Sequence, residues 1–239
     1  MRKTSMVVII LIISASVTGC NESTNKQDPS IDKSSVLQSE VHTENNTNEI
    51  RDILSIVPAG WHILNYSDAK PVQAEGDLNK DGISDIALVI EETTSAEEAP
   101  PRAIIVAFGN VDNTYTLSIN TNKVIMRADE GGIWGDPFES ISIDRGSVLI
   151  KDYGGSNWRW YNSYRFRYQD HDWYLIGATM GTYFTGTTTR DNANEEDYNL
   201  LTGDYIIRTK DESGEINTIK GNRGKRKLVK LKDFNMNDM

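Results

Sequence analysis

Cysteine is almost missing from these 239 residues: Cys20 is the only one. The chain can form no internal disulfide, so a folded domain must be held by its core, by bound metal, or by both. Histidine is nearly as scarce, with only His42, His62 and His171. These show no His-Glu-x-x-His or paired-His spacing, which removes the usual basis for zinc hydrolysis. No Gly-x-Ser-x-Gly elbow and no Walker or dinucleotide glycine pattern occurs, so serine-hydrolase and nucleotide chemistry lack their sequence signatures. Positive charge is in deficit, with 25 Lys and Arg against 35 Asp and Glu for a net charge of −10. An acidic body disfavours nucleic acid and anionic headgroups as partners and suits divalent or cationic ligands. Long apolar runs are missing too. Met6 to Ile13 falls well short of the ~18 residues of a membrane-spanning helix.

That short run is informative in its setting. Arg2 and Lys3 precede it and Val17-Thr18-Gly19-Cys20 closes it, the anatomy of a secretory signal. The closing residues resemble the lipobox of bacterial lipoproteins. The resemblance implies cleavage after residue 19 and lipidation of Cys20, with the protein held on a membrane by its acyl chains, since several chains together anchor firmly. Loss of Arg2 and Lys3 would leave 23 basic residues against 35 acidic ones. The implied location is the cell envelope outside the cytoplasm. That means the outer face of the cytoplasmic membrane, or the periplasm or outer membrane in a two-membrane cell. Residues 20–48 are rich in Asn, Ser, Thr, Glu and Gln without apolar periodicity, the composition of a flexible linker. About 26 such residues span roughly 30 Å, and His42 among them reads as solvated.

Residues 49–239 have the length of one domain. Ile50, Ile53, Leu54 and Val57 share one helical face, and Pro58-Ala59-Gly60 stops the helix. A strand around Trp61 to Leu64 follows. "DIALVIE" and "RAIIVAFG" are apolar on both faces, as in strands covered on both sides. "YTLSIN", "ESISID" and "SVLIKDY" alternate and fit strands with one wet face. Tyr164, Phe166 and Tyr168 alternate with Arg165 and Arg167, and after a polar turn over 169–172 the chain returns as Trp173 to Ala178, a hairpin. "DYIIRT" and "KLVKL" supply late strands. The fold expected is mainly β: a single antiparallel β-rich domain with a short N-terminal helix.

One loop in this domain is rich in oxygen. In "GDLNKDGISDIALVIE", counting from Asp77, the odd positions hold Asp77, Asn79, Asp81, Ile83 and Asp85, with Gly82 at position six. Short acidic side chains at this spacing converge on a hard cation when the backbone turns sharply, and Gly82 permits the turn. Asp, Asn and Gly are also the commonest turn residues, so a plain hairpin turn is the competing reading. The loop follows the EF-hand pattern to position nine, then carries Leu88 where an EF-hand has its bidentate Glu. It resembles instead the calcium loops of FG-GAP and VCBS repeats. In that resemblance Asp77, Asn79, Asp81 and Asp85 are side-chain ligands of one Ca2+ and Ile83 gives a backbone carbonyl. From "Pro-Ala-Gly-Trp" to "Trp-Tyr-Leu-Ile-Gly" the chain also resembles bacterial envelope lipoproteins that carry one such loop and have no assigned activity.

Two other clusters stand out. Trp134, Trp158, Trp160 and Tyr161, with nearby arginines and with Asp136 and Glu139, are the residue types of a sugar-binding surface, and a carboxyl pair could cleave a glycosidic bond. Alternatively the aromatics fill a core. Asp191, Glu195, Glu196 and Asp197 read as a solvated acidic loop rather than a second metal site. The cations from Lys220 to Lys232 read either as a patch for anionic polymers or as a last strand whose lysines guard an edge. Three functions remain open. The leading one is a non-catalytic, Ca2+-stabilised binding or structural lipoprotein. The others are a glycan-binding or glycan-hydrolysing surface protein, and an envelope inhibitor of the immunity type acting on another envelope protein.

Overall fold

The computed structural model describes residues 53–94, 97–211 and 213–236. The expected signal, Cys20, the linker with His42, and Ile50 lie outside them. The expected helix appears as one turn at residues 53–55, and Ile53, Ile56 and Val57 pack on the first sheet while Leu54 is exposed.

The strands described after that turn all pair antiparallel, as the alternation predicts. The first sheet contains β1 (Trp61–Ile63), β2 (Gln73–Gly76), β3 (Asp85–Glu92), β4 (Arg102–Gly109) and β5 (Tyr115–Thr121). Its order is β1-β3-β4-β5, and β2 also pairs with β3. β1 takes residues 90–92 of the shared β3 edge and β2 takes residues 85–88. The second sheet contains β6 (Phe138–Asp144), β7 (Ser147–Gly155), β8 (Trp158–Gln169), β9 (Asp172–Phe184), β10 (Asn194–Asn199), β11 (Asp204–Lys210) and β12 (Ile216–Asn222). These seven strands follow one another as an unbroken meander.

β3 is apolar from Ile86 to Ile90 and β4 from Ala103 to Phe108 because both their faces are covered. Ala87, Val89, Ile104 and Val106 join Ile150, Phe166 and Leu175 in an apolar layer shared by the two sheets. Ile86, Leu88, Ile90 and Ile105 face the other way, under Ile53, Val57 and Trp61. Each fully buried side chain of this kind contributes about 1.5–3 kcal/mol. The β8–β9 hairpin turns on Asp170 and His171, both with positive φ of 49° and 60°. That is the two-residue turn whose twist matches its strands. Tyr164 and Phe166 point into the core, as the alternation predicts.

The expectation of a strand over "KLVKL" is corrected. The stretch makes a single bridge, Lys230 to Tyr174, and then a 3-10 turn over Leu231–Asp233. β10 pairs with β9 only over residues 177–182, so the first residues of β9 keep one edge free, and the tail takes it briefly. The apolar spacing from Leu231 to Phe234 is three, which suits a turn, and both side chains are buried. The acidic run is also not a loop, since Glu195, Glu196 and Asp197 lie within β10.

Candidate functional site

The oxygen-rich loop joins β2 to β3, with Gly76 paired to Asp85. It is a hairpin loop without flanking helices. Its side chains bind its own backbone. Asp77 Oδ1 accepts the Lys80 N–H at 2.6 Å and its Oδ2 accepts the Gly82 N–H at 3.1 Å. Asn79 Oδ1 accepts from Asp81 N–H at 3.0 Å, and Asp81 Oδ1 accepts from Ile83 N–H at 2.8 Å. The Asn79 amide donates to Asp81 Oδ2 at 2.8 Å. Such side-chain turns bend the chain tightly, and Gly82 takes φ of 85° at the sharpest point. Leu78, between two of these polar residues, is buried in the layer shared by the sheets. Gly76 lies against Ile143 of β6, where an added Cβ would come within 2.7 Å of its methyl. The loop thus sits at a joint between the two sheets.

Asp85 is placed differently from the other candidate ligands. It is fully buried. Its Oδ2 accepts N–H bonds from Leu78 at 2.7 Å and Asn79 at 3.2 Å, and its Oδ1 accepts from Gly109 at 2.9 Å. Burial raises its pKa, against the pull of those three amides. This carboxylate clamps the loop to the end of β4. Asp77, Asn79 and Asp81 remain toward solvent, and an oxygen that accepts one N–H keeps a second lone pair. With the Ile83 carbonyl they offer four of the six to eight oxygens that Ca2+ takes, and water would supply the others. Among the described residues no three His, Cys, Asp or Glu side chains form a metal cage, so a cation here depends on Asn79 and on backbone oxygen. The set fits a hard cation held weakly.

The four candidate sugar-binding aromatics do not form one surface. Successive residues of a strand point to opposite faces, which separates Trp160 from Tyr161. Trp160 lines a cleft of about 1050 Å³ with Asn162, Tyr164 and Glu130. Tyr161 is buried on the opposite face, its ring lying so close over Gly181 that a Cβ there would meet it at 2.0 Å. Its hydroxyl donates to Glu195 at 2.5 Å, and Arg208 pairs with the same carboxylate. Arg190 lies over the Tyr161 and Tyr153 rings at 4.7 and 5.3 Å. Trp134 is half exposed beside Tyr153, with Arg159 over its ring at 4.4 Å. Trp158 is exposed at a strand end and packs on Phe184.

The two nearby carboxyls are each held by an arginine. Asp136 binds the buried Arg102 through both oxygens, at 2.7 and 2.8 Å, while Glu91 takes the same guanidinium at 2.7 Å. Burial opposes ionisation of Asp136, but the Arg102 bonds outweigh it and the pKa is lowered. Glu139 binds Arg190 at 2.7 and 3.0 Å, which lowers its pKa as well. Both are held ionised, so neither carries a proton to give to a leaving group.

Asp152 is the group the sequence reading passed over. It lies on β7 in phase with Val148 and Ile150, and that phase is its signal. It is fully buried, and among the described residues neither of its oxygens has a hydrogen-bond partner. Burial, helped by the negative charges of Glu139 and Asp136, pushes its pKa up to about 7. Comparison with known proteins finds no matching family, no similar curated protein and no similar solved structure.

Proposed function

We propose that this chain is a non-catalytic binding or structural module of a bacterial envelope, lipid-anchored through Cys20 and stiffened by one Ca2+ in the Asp77–Asp85 loop. The observation that carries this reading is the loop itself. Its odd-numbered side chains are already folded inward by bonds to the loop's own amides, at a joint between the two sheets. A cation there ties β2 to β3 while Asp85 holds the loop to β4. The splitting of the aromatics between faces, and the arginine locks on Asp136 and Glu139, favour binding or structure over hydrolysis.

The ion is expected to stiffen the fold rather than create it. Sites of this class bind Ca2+ at about 10⁻⁴ to 10⁻³ M, so 1 mM Ca2+ stabilises the folded state by about 0.4–1.4 kcal/mol. For a domain of this size that raises the melting temperature by roughly 1–5 °C. Asp81→Ala should abolish the rise and leave the domain folded, and Mg2+ should substitute poorly. A melting curve indifferent to Ca2+ and to chelator, with no calorimetric binding, would reduce the loop to a turn.

The anchor is tested separately. Cys20→Ala is expected to move the protein out of the membrane fraction or leave its signal uncleaved. Unchanged fractionation and processing would sink the lipoprotein reading.

A further inference from the structure

β12 is the last strand of the seven-stranded sheet, and among the described residues it pairs with β11 alone. Natural proteins guard such an edge with proline, bulges, short strands or several charges, because unpaired N–H and C=O groups invite another strand. β12 has few of these guards. Its seven residues, "INTIKGN", include no proline and one lysine, and its pairing with β11 runs without a register shift. Two isoleucines stand out in water on it, Ile216 at 43% exposed and Ile219 at 51%.

The charges along this edge change sign from one end to the other. Asp211 and Glu215 precede the strand, while Lys220 and Arg223 lie in its second half and just after it. An edge with this polarity is complementary to itself when reversed. If two copies pair antiparallel about a twofold axis through Ile219, Ile219 meets Ile219 and each Glu215 meets an Arg223. Lys220 then faces Thr218, and Ile216 faces Asn222. No like charges oppose each other in this register. A slip of two residues loses the central isoleucine pair and separates Glu215 from Arg223.

The backbone needed is already in place. The ladder with β11 continues past the strand, because the Arg223 N–H donates to the Gly203 carbonyl at 2.8 Å. The Arg223 guanidinium rests over the Tyr198 and Tyr205 rings at 4.9 and 4.8 Å, on the inner side of β12, and must turn outward to meet Glu215 of the second copy. Ile219 pairs with Ile207 and Gly221 with Tyr205, so the isoleucine contact extends an apolar strip on the same face.

We propose that β12 is a homodimer edge, at which a second copy of this chain adds its own β12 and joins the two seven-stranded sheets into one. The interface is isologous and closes on itself, so it gives a dimer and not a fibre.

Sedimentation equilibrium on the full chain in nonionic detergent tests this. The wild-type chain is expected to associate reversibly to a dimer. Ile219→Lys, which sets two lysines face to face on the axis, should leave a monomer with an unchanged melting curve. Glu215→Lys should weaken association by about tenfold, since it creates two like-charge cross-strand pairs. Adding Arg223→Glu to that variant should recover much of the loss, a result that misfolding cannot produce. A wild-type chain that stays monomeric at high micromolar concentration overturns the proposal. So does a dimer indifferent to both Ile219→Lys and Glu215→Lys.

Discussion

Stability should fall as pH rises from about 4 to 8, and Asp152→Asn should remove most of that fall. Asp152 holds its proton in the folded state up to about pH 7, whereas an unfolded Asp releases it near 3.9. Between those values the unfolded state has given up a proton that the folded state keeps, so each pH unit costs the fold up to about 1.4 kcal/mol. Summed over the window the loss is roughly 4 kcal/mol, of which about 2 kcal/mol falls between pH 5 and 7. The cause is local. Among the described residues the carboxyl has no donor to solvate its charge, and Glu139 and Asp136 add repulsion. Those two acids act in the opposite sense. Their lowered pKa values give stability that is lost only at acid pH, below the window. Denaturant midpoints measured from pH 5 to 8 should therefore slope downward for the wild type and run nearly flat for Asp152→Asn. A flat wild-type profile, or an unchanged slope in the variant, would show that the carboxyl finds solvation inside the fold.

Phe234→Ala is expected to cost about 3–5 kcal/mol, the range for emptying a buried aromatic site. The ring is almost fully buried. It meets Tyr164 and Phe166 edge-on, at centroid distances of 5.0 and 5.4 Å. It is part of the apolar layer shared by the two sheets, so its loss leaves a cavity between them. Chemical denaturation would measure the loss. A cost below 1 kcal/mol would mean that the tail lies on the fold without sealing it.

The strands that bury apolar surface were legible from the residues alone. β3 and β4 read as doubly covered runs, and the large aromatics at 164, 166 and 168 fixed the phase of the β8–β9 hairpin. β10 and β12 were not legible. Their residues are largely exposed on both faces, so no apolar phase marks them and neighbouring strands alone hold them extended. The tail misled for another reason. Alternation from Leu228 to Phe234 assigns faces, but whether an edge is free to receive a strand depends on β9 and β10, far away in sequence. Of the candidate sites, the loop's spacing was visible, while the burial of Asp85 depends on Gly109, 24 residues further on. The separation of Trp160 from Tyr161 follows from strand parity and needed no coordinates.

The meander of the second sheet bears on the order of assembly. Each strand from β7 to β12 pairs with the one just before it, so each pairing closes only a short loop at small entropic cost. A chain delivered from its N-terminus can add these strands in the order they arrive. Leu231 and Phe234 arrive after all of these strands, and they fill the layer between the sheets. Until then the sheets can form their ladders but the interior lacks its final side chains. A chain stopped before residue 231 is therefore expected to keep strand structure while exposing apolar surface, and the few residues after β12 act as the closing step of folding.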